Sequence, residues 1–90
     1  MGIKVEVFSS PGCSKCGHAR ELLKKIAIEK GEHTLVWREV NILEELDYAV
    51  QLGVLSTPAI AIDGELIFTG LPSARKLLSV LEQRIREAGA

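Results

Sequence analysis

Residues 5–23 read VEVFSSPGCSKCGHARELL, and this stretch contains both cysteines of the 90-residue chain. It passes from an alternating apolar segment, through a Ser-Ser-Pro-Gly break, into a segment whose apolar residues recur at helical spacing. Cys13 and Cys16 therefore stand where a first strand ends and a first helix begins. Such a pair can be part of a metal site, a structural disulfide or two reactive thiols, and the rest of the sequence bears on the choice.

Composition sets the broad class of the protein. Ninety residues, of which 47% are hydrophobic and 4% aromatic, predict a single domain over 1–90 with an aliphatic core. Eleven basic and twelve acidic residues nearly balance, so we expect no nucleic-acid surface. No apolar run approaches the roughly 18 residues of a membrane span, and the start MGIKVEVFSS lacks the apolar core of a signal peptide. We therefore expect a cytoplasmic protein with no membrane partner, in a compartment where stable structural disulfides are uncommon.

Four segments have the apolar and β-branched content of strands. They are 3–8, 33–40, 59–62 and 66–69. The last two segments flank Asp63-Gly64, a dipeptide that favours a two-residue hairpin turn. We therefore expect these two strands to be antiparallel neighbours.

Three segments have the spacing and the end signals of helices. They span about 14–30 before Gly31, from an Asn41 N-cap to Gly53, and onward from Pro72-Ser73. The second helix is expected to bury Leu46, Ala49 and Val50. The last helix is expected to bury a stripe of apolar residues, namely Ala74, Leu77, Leu78, Leu81 and Ile85.

The element order is therefore β-α-β-α-β-β-α. A right-handed crossover through the first helix places the first two strands side by side and parallel. The hairpin adds two antiparallel strands. We predict an α/β fold with one mixed four-stranded sheet flanked by helices.

The two cysteines occupy the place where open α/β sheets gather their chemistry, at the carboxyl end of a strand. The start of the following helix favours an anion, so we expect the pKa of Cys13 to fall below the free value of about 8.5. Cys16 lies one turn inside the helix and should be more covered. Lys15 adds a positive charge that tunes the pKa of Cys13 if it points towards the sulfur. This spacing fits an attacking Cys13 and a resolving Cys16.

Thr57-Pro58 precedes the third predicted strand. Proline is tolerated at the first residue of a strand, where a missing N–H costs little. A cis Thr57–Pro58 bond would turn the backbone of Thr57 towards the cysteines. An incoming peptide could then pair with Thr57 as an added strand.

These features together resemble the thioredoxin/glutaredoxin superfamily, in the form of a small glutaredoxin-like thioredoxin. The opening VEVFSSPGCSKCGHARELL resembles glutaredoxins, and VNILEELDYAVQLGVLSTPAIAIDGELIFTG resembles the second half of thioredoxins. The resemblance implies a thioredoxin-like fold, Cys13 as nucleophile, Cys16 as resolving thiol and Pro58 as the cis-proline beside Thr57. It also implies a monomer that reduces disulfide-containing proteins.

The resemblance further implies that a flavin- or ferredoxin-dependent thioredoxin reductase recycles the protein. The chain has no nucleotide-binding fingerprint of its own, so we expect no bound cofactor.

The proton relay of thioredoxins is altered in this chain. Their buried aspartate in the first strand corresponds to Val7, and the lysine usually paired with it corresponds to Glu39. Water, Glu39 or a neutral Lys15 are then the candidate acceptors for the proton of Cys16. We therefore include Lys15 and Glu39 as candidates for tuning the two thiols.

The glutathione site of glutaredoxins is also altered. Their basic residue three positions before the first cysteine is Ser10 here, and their glycine and polar residues after the last strand are replaced at 71–73. Thr57 still offers its backbone. The sequence therefore favours protein disulfides over glutathione as substrate.

Two alternatives remain open at this point. One is a glutathione-dependent glutaredoxin. The other is a non-catalytic module that binds a metal, a cluster or a partner protein. A zinc site takes four ligands, and this chain offers only Cys13, Cys16, His18 and His33, with a whole helix before the last of them. We therefore expect no metal site.

Overall fold

The computed structural model describes residues 2–89, which form four strands and three helices. The strands are β1 (Ile3–Ser9), β2 (Leu35–Asn41), β3 (Ala59–Ile62) and β4 (Glu65–Phe68). The helices are α1 (Ser14–Lys30), α2 (Leu46–Leu52) and α3 (Ala74–Gly89). The predicted element order β-α-β-α-β-β-α is confirmed.

One mixed sheet has the strand order β2-β1-β3-β4. The strands β1 and β2 are parallel, with Val7 opposite Glu39, and α1 is the crossover between them. The strand β3 runs antiparallel to both β1 and β4. The end of β1, which leads into the cysteines, therefore lies in the centre of the sheet beside the start of β3.

Alternation along β1 sends its side chains to two separate apolar clusters. Ile3, Val5 and Val7 join the larger cluster, which the sheet shares with α1 and α3. Phe8 points to the other face and joins the smaller cluster beneath α2, which includes Ala49 and Val54 and the strand residues Val40, Ala59 and Ala61. The sheet is therefore covered on both faces.

The predicted hairpin turn is confirmed at Asp63 and Gly64. Both residues have positive φ, 50° and 82°, as a type I′ turn requires. Asp63 also accepts a hydrogen bond from the Lys4 N–H at 2.9 Å. The turn is thus fastened to the start of β1.

The start of the second helix differs from the prediction. Asn41 does not cap α2, because its side chain accepts a hydrogen bond from the Leu43 N–H at 2.9 Å within a local turn. The backbone carbonyl of Asn41 accepts the N–H groups of Glu44 and Glu45 in the same turn. The helix α2 begins only at Leu46, after Glu45 in the N-cap position, and ends as expected before Gly53 in the left-handed conformation.

The face that α2 buries also differs from the prediction. Ala49 is buried as expected, but Leu46 and Val50 are 55% and 66% exposed, so their predicted burial is wrong. Tyr48 and Leu52 pack towards the sheet in their place.

The stripe of α3 is confirmed in part. Leu77 and Leu81 are fully buried, and Leu78 and Ile85 pack partly buried against the larger cluster. Ala74, the first residue of the helix, is exposed, so its predicted burial is wrong. Across residues 2–89, every helix is too short or too polar to cross a membrane.

Candidate active site

The two cysteines lie at the start of α1. Cys13 is the N-cap residue, with extended backbone, and Cys16 lies in the first turn. They form a disulfide, and their Cα atoms are 5.4 Å apart. Cys13 is partly exposed, whereas Cys16 is only 3% exposed. The pair therefore has one outer sulfur and one inner sulfur, as the sequence indicates.

The local electrostatics favour a negative charge on the outer sulfur. Residues 14–17 form the first turn of α1, and the charge they carry is that of Lys15. The first N–H groups of a helix lack partners within the helix, and its dipole is positive at this end. Once the disulfide is reduced, a thiolate at Cys13 would lie beside these N–H groups.

An open groove of about 310 Å³ lies over Cys13. Its lining consists of residues 10–15 and Thr57. The groove therefore joins two segments that are distant in the sequence, the loop before α1 and the loop before β3. Of the predicted site residues, it brings together Cys13, Lys15 and Thr57.

The peptide bond between Thr57 and Pro58 is cis, as predicted. Pro58 is buried and Thr57 is partly exposed at the groove. Val54 and Ala59, on either side of this loop, are both buried in the cluster beneath α2. Packing at these two residues thus holds the loop in place.

The loops on the two sides of the groove are linked by a hydrogen bond between the hydroxyls of Ser10 and Thr57, at 2.7 Å. The backbone carbonyl of Ser10 also accepts the Cys13 N–H at 3.3 Å. Sequence reasoning missed this link because the two hydroxyls are 47 residues apart and neither residue type signals such a contact.

Glu39 lies on β2 and its carboxylate forms an ion pair with Arg20 of α1, at 2.6 Å. The Glu39 side chain is 34% exposed. Glu39 is not among the residues that line the groove, and Arg20 is its ion-pair partner.

The side chains that commonly bind metal ions are dispersed over the described part of the chain. Among residues 2–89, no three side chains of His, Cys, Asp or Glu come together as a candidate metal site. His18 and His33 are both exposed, the first on α1 and the second in the turn before β2.

The sequence of the chain matches known thioredoxins. The model of the thioredoxin domain family matches residues 1–82. A thioredoxin from Methanocaldococcus jannaschii is 29% identical over 92% of this chain and 96% of its own length. A probable thioredoxin from Methanothermobacter marburgensis is 33% identical over 94% of this chain and 99% of its own length.

Two solved structures share the fold. A protein disulfide oxidoreductase from Aeropyrum pernix superposes with a TM-score of 0.83 and 29% identity over 96% of this chain, which spans 38% of that larger protein. A mutant thioredoxin from Halobacterium salinarum superposes over 90% of this chain and 73% of its own length, with a TM-score of 0.76. At 20% identity, this similarity shows the fold alone. With its Cys-x-x-Cys redox pair, the chain therefore belongs to the thioredoxin family of thiol–disulfide oxidoreductases.

Proposed function

We propose that this protein reduces disulfide bonds in other proteins, with Cys13 as nucleophile and Cys16 as resolving thiol. The observation that carries the proposal is the difference in exposure between the two sulfur-bearing residues. Cys13 lies partly exposed at the groove, whereas Cys16 is 3% exposed behind it. This difference supports Cys13 as the residue that meets a substrate disulfide and Cys16 as the residue that resolves the mixed disulfide.

The reaction requires the dithiol form of the protein. The Cys13 thiolate attacks one sulfur of the substrate disulfide, a mixed disulfide forms, and the second substrate sulfur leaves as a thiolate that takes up a proton. The Cys16 thiolate then attacks the Cys13 sulfur and the first substrate sulfur leaves in the same way. Two electrons pass to the substrate, and the protein ends with the Cys13–Cys16 disulfide.

Thr57 and Pro58 are proposed to align the substrate. The loop before β3 lies across the groove from Cys13, so an extended peptide paired with the backbone of Thr57 would run past the Cys13 sulfur. Such an arrangement converts an encounter into an oriented reaction, which lowers the barrier to attack.

Lys15 and Glu39 are proposed to tune the two thiols. The ammonium of Lys15, which lines the groove, would stabilise the Cys13 thiolate. Glu39 is a candidate acceptor for the proton of Cys16. In this role its carboxylate would leave the ion pair with Arg20 and accept the proton of the thiol. Replacing Glu39 by Gln should then slow the resolving step and leave the first attack unchanged.

Recycling of the disulfide requires a second protein. We propose a flavin- or ferredoxin-dependent thioredoxin reductase as electron donor, disulfide-containing proteins as acceptors, and a monomer acting in the cytoplasm. The relatives named as thioredoxins support a partnership of this kind.

The test is reduction of a protein disulfide, such as that of insulin, with dithiothreitol as electron donor. The wild-type protein should accelerate the reduction and the Cys13→Ser variant should not. Retained activity in Cys13→Ser would contradict the proposal. Turnover sustained by reduced glutathione and glutathione reductase would favour a glutaredoxin instead.

A further inference from the structure

We propose that Ser10 is a positioning residue for substrate attack, because it ties the attacking cysteine to the loop that aligns the substrate. This inference rests on the proposed function and adds a residue to it. Ser10 stands where glutaredoxins have a basic residue, and the inference gives this position a role of its own. Its basis is the hydroxyl pair between Ser10 and Thr57.

Ser10 contacts the two loops that line the groove. Its hydroxyl is 2.7 Å from that of Thr57, in a partly buried setting. Its carbonyl accepts the N–H of Cys13 at 3.3 Å, which closes the turn that precedes α1. One residue therefore bonds to the nucleophilic residue on one side and to the residue before the cis-proline on the other.

The rest of each loop is anchored separately. The loop before α1 follows β1, whose final residues Phe8 and Ser9 are buried in the sheet. The loop before β3 is held by Val54 and Ala59 in the cluster beneath α2. The hydrogen bond between the Ser10 and Thr57 hydroxyls joins these two anchored loops at the groove, where it fixes the separation between Cys13 and Thr57.

The effect of this hydrogen bond on the rate of attack should depend on whether the substrate has a peptide backbone. A peptide disulfide that pairs with the backbone of Thr57 needs Cys13 at a set distance from that backbone. A small disulfide without a peptide backbone meets only the Cys13 sulfur. Loss of the Ser10 hydroxyl should therefore slow attack on the peptide and spare attack on the small molecule.

The experiment compares two mixed disulfides with the same leaving group. One joins thionitrobenzoate to the single cysteine of a short extended peptide, and the other joins thionitrobenzoate to 2-mercaptoethanol. Release of coloured thionitrobenzoate is followed in single turnovers of the reduced protein. The proteins are the wild type, Ser10→Ala, Ser10→Thr, Thr57→Val and the Ser10→Ala/Thr57→Val double variant.

The matched control is Ser79→Ala, which removes an exposed hydroxyl from α3. Unfolding midpoints of every variant show whether each is folded. Thr57→Val keeps the shape of threonine and Ser10→Thr keeps the hydroxyl, so the comparison does not depend on Ser10→Ala alone.

For the peptide, Ser10→Ala and Thr57→Val should each lower kcat/KM about three- to tenfold, the equivalent of one ordinary hydrogen bond. The double variant should show no further loss, because both changes remove the same link. Ser10→Thr should restore the rate. In Ser10→Ala the rate with the small disulfide should stay within about twofold of wild type, less than the loss of one hydrogen bond, because this substrate has no peptide backbone to align.

Three results would overturn the inference while leaving the proposed function intact. They are an unchanged peptide rate in Ser10→Ala, an equal loss for both substrates, and losses that multiply in the double variant. A reduced wild-type protein that attacks neither substrate would instead contradict the proposed function, and with it the inference.

Discussion

The carboxylate of Glu6, on the central strand β1, accepts a hydrogen bond from the guanidinium of Arg38 on the neighbouring strand β2, at 2.9 Å. Glu6 is only 2% exposed. Its second oxygen accepts the hydroxyl of Tyr48 from α2, and Arg38 also binds Glu45 at the start of that helix. This group of four side chains fastens α2 to the sheet, and the loop that carries Thr57 leads out of α2.

Replacing Glu6 by Gln should destabilise the protein by about 1–3 kcal/mol, because one of its two accepting oxygens becomes an amide donor and the buried negative charge that Arg38 pairs with is lost. Chemical denaturation monitored by circular dichroism measures this loss. The matched control is Glu65→Gln, which breaks an exposed pair with Arg84 at 3.2 Å and should change stability by less than about 0.5 kcal/mol. Equal effects of the two changes would contradict this account of Glu6.

Tyr48 makes the stability that this group of side chains provides depend on pH. Its hydrogen bond to Glu6, together with its burial, raises the pKa of Tyr48 above the ordinary value of 10.0. A raised pKa means that the stabilisation is complete below about pH 10 and is lost as the pH rises beyond it, since the unfolded chain ionises first. Tyr48→Phe should therefore be less stable than wild type at pH 7, and the difference should shrink above pH 10.

Denaturation of both proteins at pH 7, 9 and 11 checks the dependence on Tyr48. Other groups titrate equally in the two proteins, so the difference between them isolates Tyr48. Tyr48→Phe keeps the ring that packs against Phe8, 5.9 Å between centroids, and removes only the hydroxyl. A difference in stability that stays constant from pH 7 to pH 11 would therefore contradict this account of the Tyr48 hydroxyl.

Shortening a buried side chain in the core beneath α3 should strongly destabilise the protein. Leu77 is fully buried in the larger cluster, whereas Leu55 is 97% exposed. Leu77→Ala should cost about 2–5 kcal/mol, from lost burial and from the cavity left behind. The same change at Leu55 should cost less than about 0.5 kcal/mol, and unfolding midpoints of the two variants measure the contrast. A comparable loss at both sites would contradict the assigned core.

Local signals in the sequence were sufficient for most of the fold. The Asp63-Gly64 turn and the break before Cys13 are chemical features of a few adjacent residues, and they predict a hairpin and a strand–helix junction directly. The predicted N-cap at Asn41 was wrong because an Asn or Asp side chain can either cap a helix or close a local turn, and the sequence alone does not distinguish these two roles. The wrong buried face at Leu46 and Val50 is a separate error, because Tyr48 and Leu52 offer a second apolar face on this short helix and it is this face that packs against the sheet.

The candidate site was predictable where it depends on residue type, and less so where it depends on distant contacts. Cys13, Cys16 and Pro58 stand out by their chemistry. The partners of Ser10, Glu39 and Glu6 lie on other elements, and no periodicity points to them. Glu6 in particular reads as the polar position of an alternating strand, but α2 covers that face of the sheet.

The assignment of separate roles to the two cysteines is tested most directly by trapping. A Cys16→Ser variant, reduced and mixed with a disulfide-containing protein, should accumulate a mixed disulfide at Cys13, because the resolving thiol is missing. Non-reducing gels and mass spectrometry of the linked peptide identify the attachment site. We expect a stable adduct at Cys13 in Cys16→Ser and none in the reciprocal Cys13→Ser variant. An adduct that forms at Cys16 in Cys13→Ser at a similar rate, or no adduct in either variant, would contradict the account.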